Sequence, residues 1–452
     1  MPFIRNRNAL ATTPARALAL ELAEAAVAAV TLGALMARHL RLLGDTLLVG
    51  RRRVRLNGGG VWVFGAGKAA APMATAAEAA LGPGLVRGGA VITNDPGDGP
   101  LPDRIRVLRS SHPVPDAAGV AATAELLALM DDVPAGAVVL WLLSGGASAI
   151  MTAPAGDVSL ADKQETTRAL LRSGATIDEM NTVRKHLSAV KGGQIARRLT
   201  GRRLFTLAIS DIISGRLEMI GSGPTLPDPT TYDDALAVIA RHGLQQAIPV
   251  DALHHLQEGA AGDLPETPKP GDPCFASTSF TLLAGPGTAL ATAAKAAREA
   301  GYRRVTVLTD ELAGEAATAA RHFGQALRYH ARAYRGPQVV LAAGETTVTV
   351  RGNGQGGRNQ EMAAALIDEV AGMPGCAVAC IATDGQDFVP GAGGALVDGE
   401  TAALAAELGV DVAGLRADND THRLHRALGT LVEADATGTN VCDLVIAVLG
   451  ER

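Results

Sequence analysis

The chain has 452 residues, which at about 100–200 residues per domain allows two or three domains with ample core. Its net charge is −5 with the basic residues dispersed, and aromatic residues make up only 3%. These values exclude a large cationic face for nucleic acid or an anionic membrane and disfavour base- or sugar-stacking surfaces, so the expected ligand is a small molecule.

The N-terminal run ALALELAEAAVAAV is interrupted by Glu21 and Glu24, and no apolar stretch reaches the roughly 18 residues of a membrane span. It reads as an amphipathic helix with Thr13 as N-cap and Pro14 in its first position. Beyond it, β-like apolar runs alternate with Ala-rich helical segments in the manner of parallel βαβ units. Strands are expected at 61–65, 89–93, 137–143, 204–210, 304–309, 339–344, 377–383 and 444–450, and ETTVTV at 345–350 is also β-patterned. The stretch 254–275 is rich in Gly, Pro and charge without an apolar period, which marks a linker between domains 1–258 and 272–452. The expected class is α/β, a Rossmann-like parallel sheet domain followed by a second mixed α/β domain. Cys376 and Cys380 fall on one buried strand, and four residues at about 3.3 Å each separate them by roughly 13 Å, beyond disulfide reach. No CxxC occurs, so a reducing cytoplasm fits.

Several strands run into chemistry, as expected where α/β sheets bind ligands beyond their strand C-termini. GAGKAA brings Gly65, Gly67 and Lys68 to the start of a helix. It is not a Walker A loop, since Trp62 and Ala69 stand where glycine and Ser/Thr are needed. It does match the dinucleotide form through Gly65, Gly67 and Ala70, with Asp95 as a ribose ligand, although Asp95 lies farther on than about 20 residues. In SHPVPD, His112 is either a loop-stabilising residue or a general base without an identified partner. LLSGGASAI offers Ser144, Gly145, Gly146 and Ser148 but lacks the nucleophile elbow of esterases. In NTVRKHLSAVK, Asn181, Arg184, Lys185 and Ser188 share one helical face, which is either an oxyanion site or a solvated basic face. Asp211, Asp310, Glu311, Asp384 and Asp387 follow strands, where carboxylates either take part in an Mg²⁺ site or cap the next helix. The Gly-rich turn GNGQGGRNQEM, between ETTVTV and an apolar-periodic helix, suits an anion through Gly352, Gly354, Gly356, Gly357 and the Arg358 fork, or else is a plain hairpin.

GAGKA at 65–69, SHPVPD at 111–116, LLSGGASA at 142–149, NTVRKHLSAVKGG at 181–193, GSGPTLPDPTTY at 221–232, GGRNQE at 356–361, ATDGQD at 382–387 and ATGTNVCDL at 436–444 together resemble the ordered motifs of glycerate 2-kinases with a C-terminal MOFRL domain. The resemblance spans nearly the whole chain. It implies a two-domain kinase that moves the ATP γ-phosphoryl group to the 2-hydroxyl of (R)-glycerate, with Mg²⁺ or a similar metal, in an interdomain cleft. Lys68, Asp211 and Arg358 match positions held to be catalytic. Gly65, Gly67, Ser144, Gly145, Gly146, Ser148, Asn181, Arg184, Lys185, Gly356, Gly357, Asn359, Thr439 and Asn440 are then the expected substrate- and nucleotide-binding set, and Asp211, Asp384 and Asp387 the expected metal ligands. Some members carry the label hydroxypyruvate reductase, so NAD(P)H-dependent reduction is the alternative. A catalytically dead relative is argued against by the intact Lys68, Asp211 and Arg358. A homodimer stays open.

The chain departs from that pattern at Ser214-Gly215, where the family usually shows Gly-Asp, at Thr421-His422, where it shows Ser-Tyr, and at Ala434-Asp435-Ala436, where it shows Thr-Gly-Pro. A changed acceptor preference and weaker metal binding are the expected consequences.

Overall fold

The computed structural model describes residues 3–82, 84–210 and 216–450. Val138–Leu143 reads VVLWLL and is buried at every position, as a strand covered on both faces requires. It lies inside a six-stranded sheet whose spatial order is Arg106–Arg109, Val86–Thr93, Val61–Ala66, Val138–Leu143, Arg203–Ile209 and Thr278–Ala284. The first five strands pair in parallel. Counted along the chain, the order is that of doubly wound folds, and it reverses between Val61–Ala66 and Val138–Leu143. Phe64, Ile92, Leu126, Met130 and Trp141 fill the core beside this sheet.

A second six-stranded sheet runs Arg304–Leu312, Gln338–Gly344, Asp443–Leu449, Cys376–Ala382, Ala392–Asp398 and Leu431–Glu433. Its first pair is parallel and the remaining pairs antiparallel, so it is mixed. Phe323, Leu327, Leu366 and Ile367, from helices Ala316–Ala333 and Arg358–Val370, belong to its core. A three-stranded antiparallel meander occupies Leu40–Arg55.

The chain forms two compact units, Leu35–Leu283 and Met1–Ala34 with Ala284–Arg452. This differs in two ways from a division into 1–258 and 272–452. Helix Pro14–Ala29, capped as expected by Thr13 through Arg16 N, buries its Leu and Ala face against the second sheet and helix Pro286–Glu299. The supposed linker is tied to the first unit: HHLQEGAA lies in helix Val250–Ala261, Glu266 bonds His186 Nε2 at 3.1 Å, and Thr267 bonds Asp228 at 3.2 Å. Thr278–Ala284 then adds the last strand of the first sheet.

All eight strands expected from apolar runs are present. ETTVTV is not one of them: Glu345 N bonds Leu312 O and Thr347 N bonds Gly314 O, both at 2.8 Å, but only Thr347 forms a bridge, to Glu315, and Val350 is 71% exposed. Alternation alone does not make a strand where its neighbour, here 312–315, gives way to the helix Ala316–Ala333 after one bridge. All four cysteines are buried, and none is in a disulfide. Among the described residues no single helix is long and apolar enough to cross a membrane.

Candidate active site

In the Leu35–Leu283 unit, two loops meet where the strand order reverses. Strand Val61–Ala66 ends in the GAGK turn, and its neighbour Val138–Leu143 ends in Ser144-Gly145-Gly146. The turns are stitched together by Ser144 N to Ala66 O at 3.2 Å, Lys68 N to Gly145 O at 2.9 Å and Ala69 N to Ser144 Oγ at 3.0 Å. Gly67 has φ +135°, and a Cβ there would lie 2.3 Å from Ser144 Oγ, so only glycine allows this approach. Ser144, 3% exposed, therefore spends its hydroxyl on the neighbouring loop rather than on a ligand. Gly65 likewise serves close packing, against Leu142.

Lys68 is exposed and makes no ion pair among the described residues. Its stem and the His112 ring both line the space beside Gly146, where a Cβ would meet Lys68 Cγ at 3.0 Å and His112 Cδ2 at 3.1 Å. Burial first, and then the Lys68 charge, lowers the His112 pKa, leaving a neutral imidazole at pH 7.

A second group surrounds Ser148. Helix Ile177–His186 starts with a capping box between Thr176 and Glu179 and projects Asn181 and Arg184 together. Arg184 Nη2 donates to Ser148 Oγ at 2.7 Å and Nη1 to Asn181 Oδ1 at 3.4 Å. Ser222 Oγ joins both, at 2.9 Å from Ser148 Oγ and 3.3 Å from Asn181 Oδ1. Lys191 Nζ donates to Ser148 O at 2.7 Å and to Ser148 Oγ at 3.0 Å. The expected single face does not hold beyond Arg184. Lys185 forms a buried ion pair with Asp228 at 3.1 Å, and Ser188 lies past the helix end and donates to Ala153 O. Lys185 is thus a structural cation, not a substrate ligand. Lys191 and Ser222 were missed because they sit on turns outside any periodic element, although each lies in a motif of small residues, SAVKGG and GSGP. Asp211 and Gly215 lie outside the described residues.

The other unit holds the second group of expected residues. Contrary to expectation, most backbone N–H groups of the Gly-rich loop are already used. Those of Arg351 and Gly352 go to Asn419 Oδ1, that of Asn353 to Asp418 Oδ1, that of Gly354 to Asp418 O and that of Gln355 to Asp420 Oδ1. The loop is folded against residues 418–422, so the glycines serve close approach: a Cβ on Gly356 would lie 2.0 Å from Thr421 Oγ1 and one on Gly357 2.2 Å from Asp387 Cγ.

Asp387 takes the N-terminus of helix Arg358–Val370. Its Oδ1 accepts from Asn359 N and Nδ2, and its Oδ2 from Gln360 N and Nε2, which fills the lone pairs of both oxygens. It is a helix cap rather than a metal ligand, and Asn359 serves the same cap. His422 Nδ1 lies 3.1 Å from Gln360 Oε1, so this departure from the family pattern orients the amide that holds Asp387. Asp384 is half-buried, with Oδ1 accepting from Gln386 N and its pKa raised by burial. Among the described residues no group of three or more His, Cys, Asp or Glu is arranged to hold a metal ion.

Arg358 is clamped between Asp443, Nε to Oδ2 at 3.0 Å, and Glu345, Nη1 to Oε1 at 2.5 Å. Burial alone would lower its pKa; Asp443 and Glu345 outweigh that and hold it above its ordinary value. Burial lifts the Asp443 pKa to about 6 against the pull of Arg358, so the pair is charged at pH 7. Asn440 Oδ1 accepts from Cys442 N at 3.1 Å in the turn before Asp443, and Thr439 is buried with no partner for its hydroxyl.

The doubly wound sheet, with cations gathered past the strand ends where its order reverses, defines an α/β protein suited to a small anionic ligand. Residues 18–257 match the model of a domain of unknown function, DUF4147, and residues 338–443 that of the MOFRL family. The chain belongs to the family joining these two domains, that of the glycerate 2-kinases. It is 34% identical over 417 residues to the glycerate 2-kinase of Pyrococcus horikoshii, covering 91% of this chain and 92% of that one. It is 39% identical over 397 residues to an Agrobacterium vitis protein named "Putative hydroxypyruvate reductase", covering 86% and 87%. The crystal structure of glycerate kinase from Thermotoga maritima superposes with TM-score 0.83 at 33% identity, over 96% of this chain and 98% of that one.

Proposed function

We propose that this protein transfers the γ-phosphoryl group of ATP to the 2-hydroxyl of (R)-glycerate or a closely related small hydroxy acid. The observation that carries this reading is Lys68, without an ion pair among the described residues, on the loop at the strand-order reversal, with the Arg184–Ser148–Lys191 group in the same unit. Transfer forms a bond from the 2-hydroxyl oxygen to the γ-phosphorus and breaks the bridge to the β-phosphate. Little covalent chemistry is asked of the protein, so positioning and charge neutralisation dominate. Lys68 supplies positive charge to phosphate oxygens. His112, neutral beside it, is placed to accept a proton in that neighbourhood, while Asp211 keeps the base or metal role that the family pattern gives it. Arg358 reaches an anion with its remaining N–H groups or by exchanging Glu345 for it. Mg²⁺ is expected to arrive with the nucleotide phosphates, since the described carboxylates form no cage.

The reductase reading keeps one structural point. Asp95 follows the strand beside Val61–Ala66, where a dinucleotide fold places its ribose ligand, but its Oδ1 caps Gly97 N at 2.9 Å. A purified-enzyme screen of hydroxy acids with ATP, and of hydroxypyruvate with NAD(P)H, separates the two. ADP formation dependent on (R)-glycerate, without NAD(P)H oxidation, is the expected result. The reverse outcome overturns the proposal.

A further inference from the structure

Lys163, Arg184 and Lys191 are gathered in the interior of the Leu35–Leu283 unit with no ion pair to a carboxylate among the described residues. Lys163 is 9% and Lys191 1% exposed. The contrast with Lys185, which carries its own partner Asp228 at 3.1 Å, is sharp. Burial, and then the Arg184 charge, lowers the pKa of both lysines, so hydrogen bonds rather than counter-ions hold these amines in place.

The bonds around Ser148 show what Lys191 does. Arginine can only donate, and Lys191 Nζ donates as well, so Ser148 Oγ accepts from both Arg184 Nη2 and Lys191 Nζ. With its acceptor sites filled, its own proton must point to Ser222 Oγ at 2.9 Å, and the Ser222 proton to Asn181 Oδ1 at 3.3 Å. The chain of donors has one direction. Lys191 fixes it from the other side by also holding Ser148 O at 2.7 Å, so that backbone and hydroxyl are gripped by one side-chain nitrogen. Arg184, with five N–H groups of which two are used on Ser148 and Asn181, keeps three uncommitted among the described residues. A guanidinium held in one orientation with spare donors suits a carboxylate.

We infer that Lys191 is a positioning residue for the acceptor: by gripping Ser148 it locks the Arg184 fork in place to receive the carboxylate of the hydroxy acid. The inference rests on the kinase reading for the identity of that acid. Lys163 donates to Leu187 O at 2.7 Å and so braces the end of the helix carrying Arg184.

The test is steady-state kinetics of Lys191→Met and Lys191→Arg, with ATP and (R)-glycerate varied separately and folding followed by circular dichroism. Losing charge-assisted hydrogen bonds should raise the KM for glycerate about 10- to 100-fold in Lys191→Met, with the KM for ATP little changed. Lys191→Arg, which keeps the charge, should recover part of the loss. A purely structural role would lower the melting temperature and the yield of active enzyme without moving KM. Unchanged KM values in a folded Lys191→Met, or equal changes for both substrates, overturn the inference. Should that variant not fold, Ser148→Ala removes the shared hydroxyl and must raise the glycerate KM in the same selective way. If the wild type proves not to phosphorylate glycerate, the kinase reading fails by itself. Thermal stabilisation by D-glycerate and by inorganic phosphate, in wild type against Lys191→Met, then still reads the anion site, and an equal shift in both proteins overturns the role of Lys191.

Discussion

Replacing Lys68 by alanine separates charge from scaffold. Its side chain is exposed, makes no ion pair among the described residues and leaves no buried partner behind. Stability should therefore change by no more than about 0.5 kcal/mol. The loop geometry depends instead on backbone bonds that alanine retains, Lys68 N to Gly145 O at 2.9 Å and Thr93 Oγ1 to Lys68 O at 3.2 Å. Removing one preorganised donor from a charged transition state costs about 2.7–4 kcal/mol, or about 10²- to 10³-fold in turnover. The two magnitudes differ enough to be told apart in one preparation, by calorimetry for the fold and coupled ADP release for the rate. His112 gives an independent readout. Burial is the larger cause of its lowered pKa and Lys68 the second, so the imidazole should titrate higher in Lys68→Ala, as followed by proton NMR. A folded variant with near-normal turnover and an unmoved His112 would show that the loop merely shapes the backbone.

Other outcomes follow from the same contacts. Lys185→Met should destabilise the fold by about 3–5 kcal/mol in urea unfolding, because Asp228 is left buried and unpaired; a change below 1 kcal/mol would contradict the structural role given to Lys185. Glu345→Gln removes one of the two carboxylates on Arg358 and should lower the KM for ATP several-fold if Arg358 receives phosphate; an unchanged or higher KM argues against that. Burial, followed by the charge of Arg184, depresses the Lys163 pKa to about 7. A lysine depressed on folding adds stability that is present above its unfolded value of about 10.4 and lost as pH falls toward 7. Lys163→Met should therefore gain on the wild type as pH drops through that window, and a stability difference that stays constant refutes the assignment.

The sequence made the sheets readable where strands were long and apolar, as with VVLWLL and CAVACIA. It concealed Ala392–Asp398, whose AGGALVD resembles a loop and becomes a strand only because Cys376–Ala382 lies alongside to pair with it. ETTVTV failed in the opposite sense, with the right alternation but a single bridge, Thr347 to Glu315. At the site, strand-terminal glycine loops pointed to Lys68 and Ser148 because close backbone approach has a signature in composition. Helical periodicity misassigned Lys185 and overlooked Lys191, since an ion pair to Asp228 and a turn after His186 are set by tertiary contacts that no spacing rule contains. The Gly-rich loop at 352–357 was legible as a close-approach segment, but what it approaches is the chain's own Asp418–Thr421.

The most direct test of the account is phosphorus NMR of the product formed from ATP and (R)-glycerate by the purified protein. The account predicts a single new phosphomonoester on the 2-oxygen, appearing in step with ADP. A 3-phosphate would contradict the regiochemistry, and ATP left intact while NAD(P)H is consumed with hydroxypyruvate would contradict phosphoryl transfer altogether.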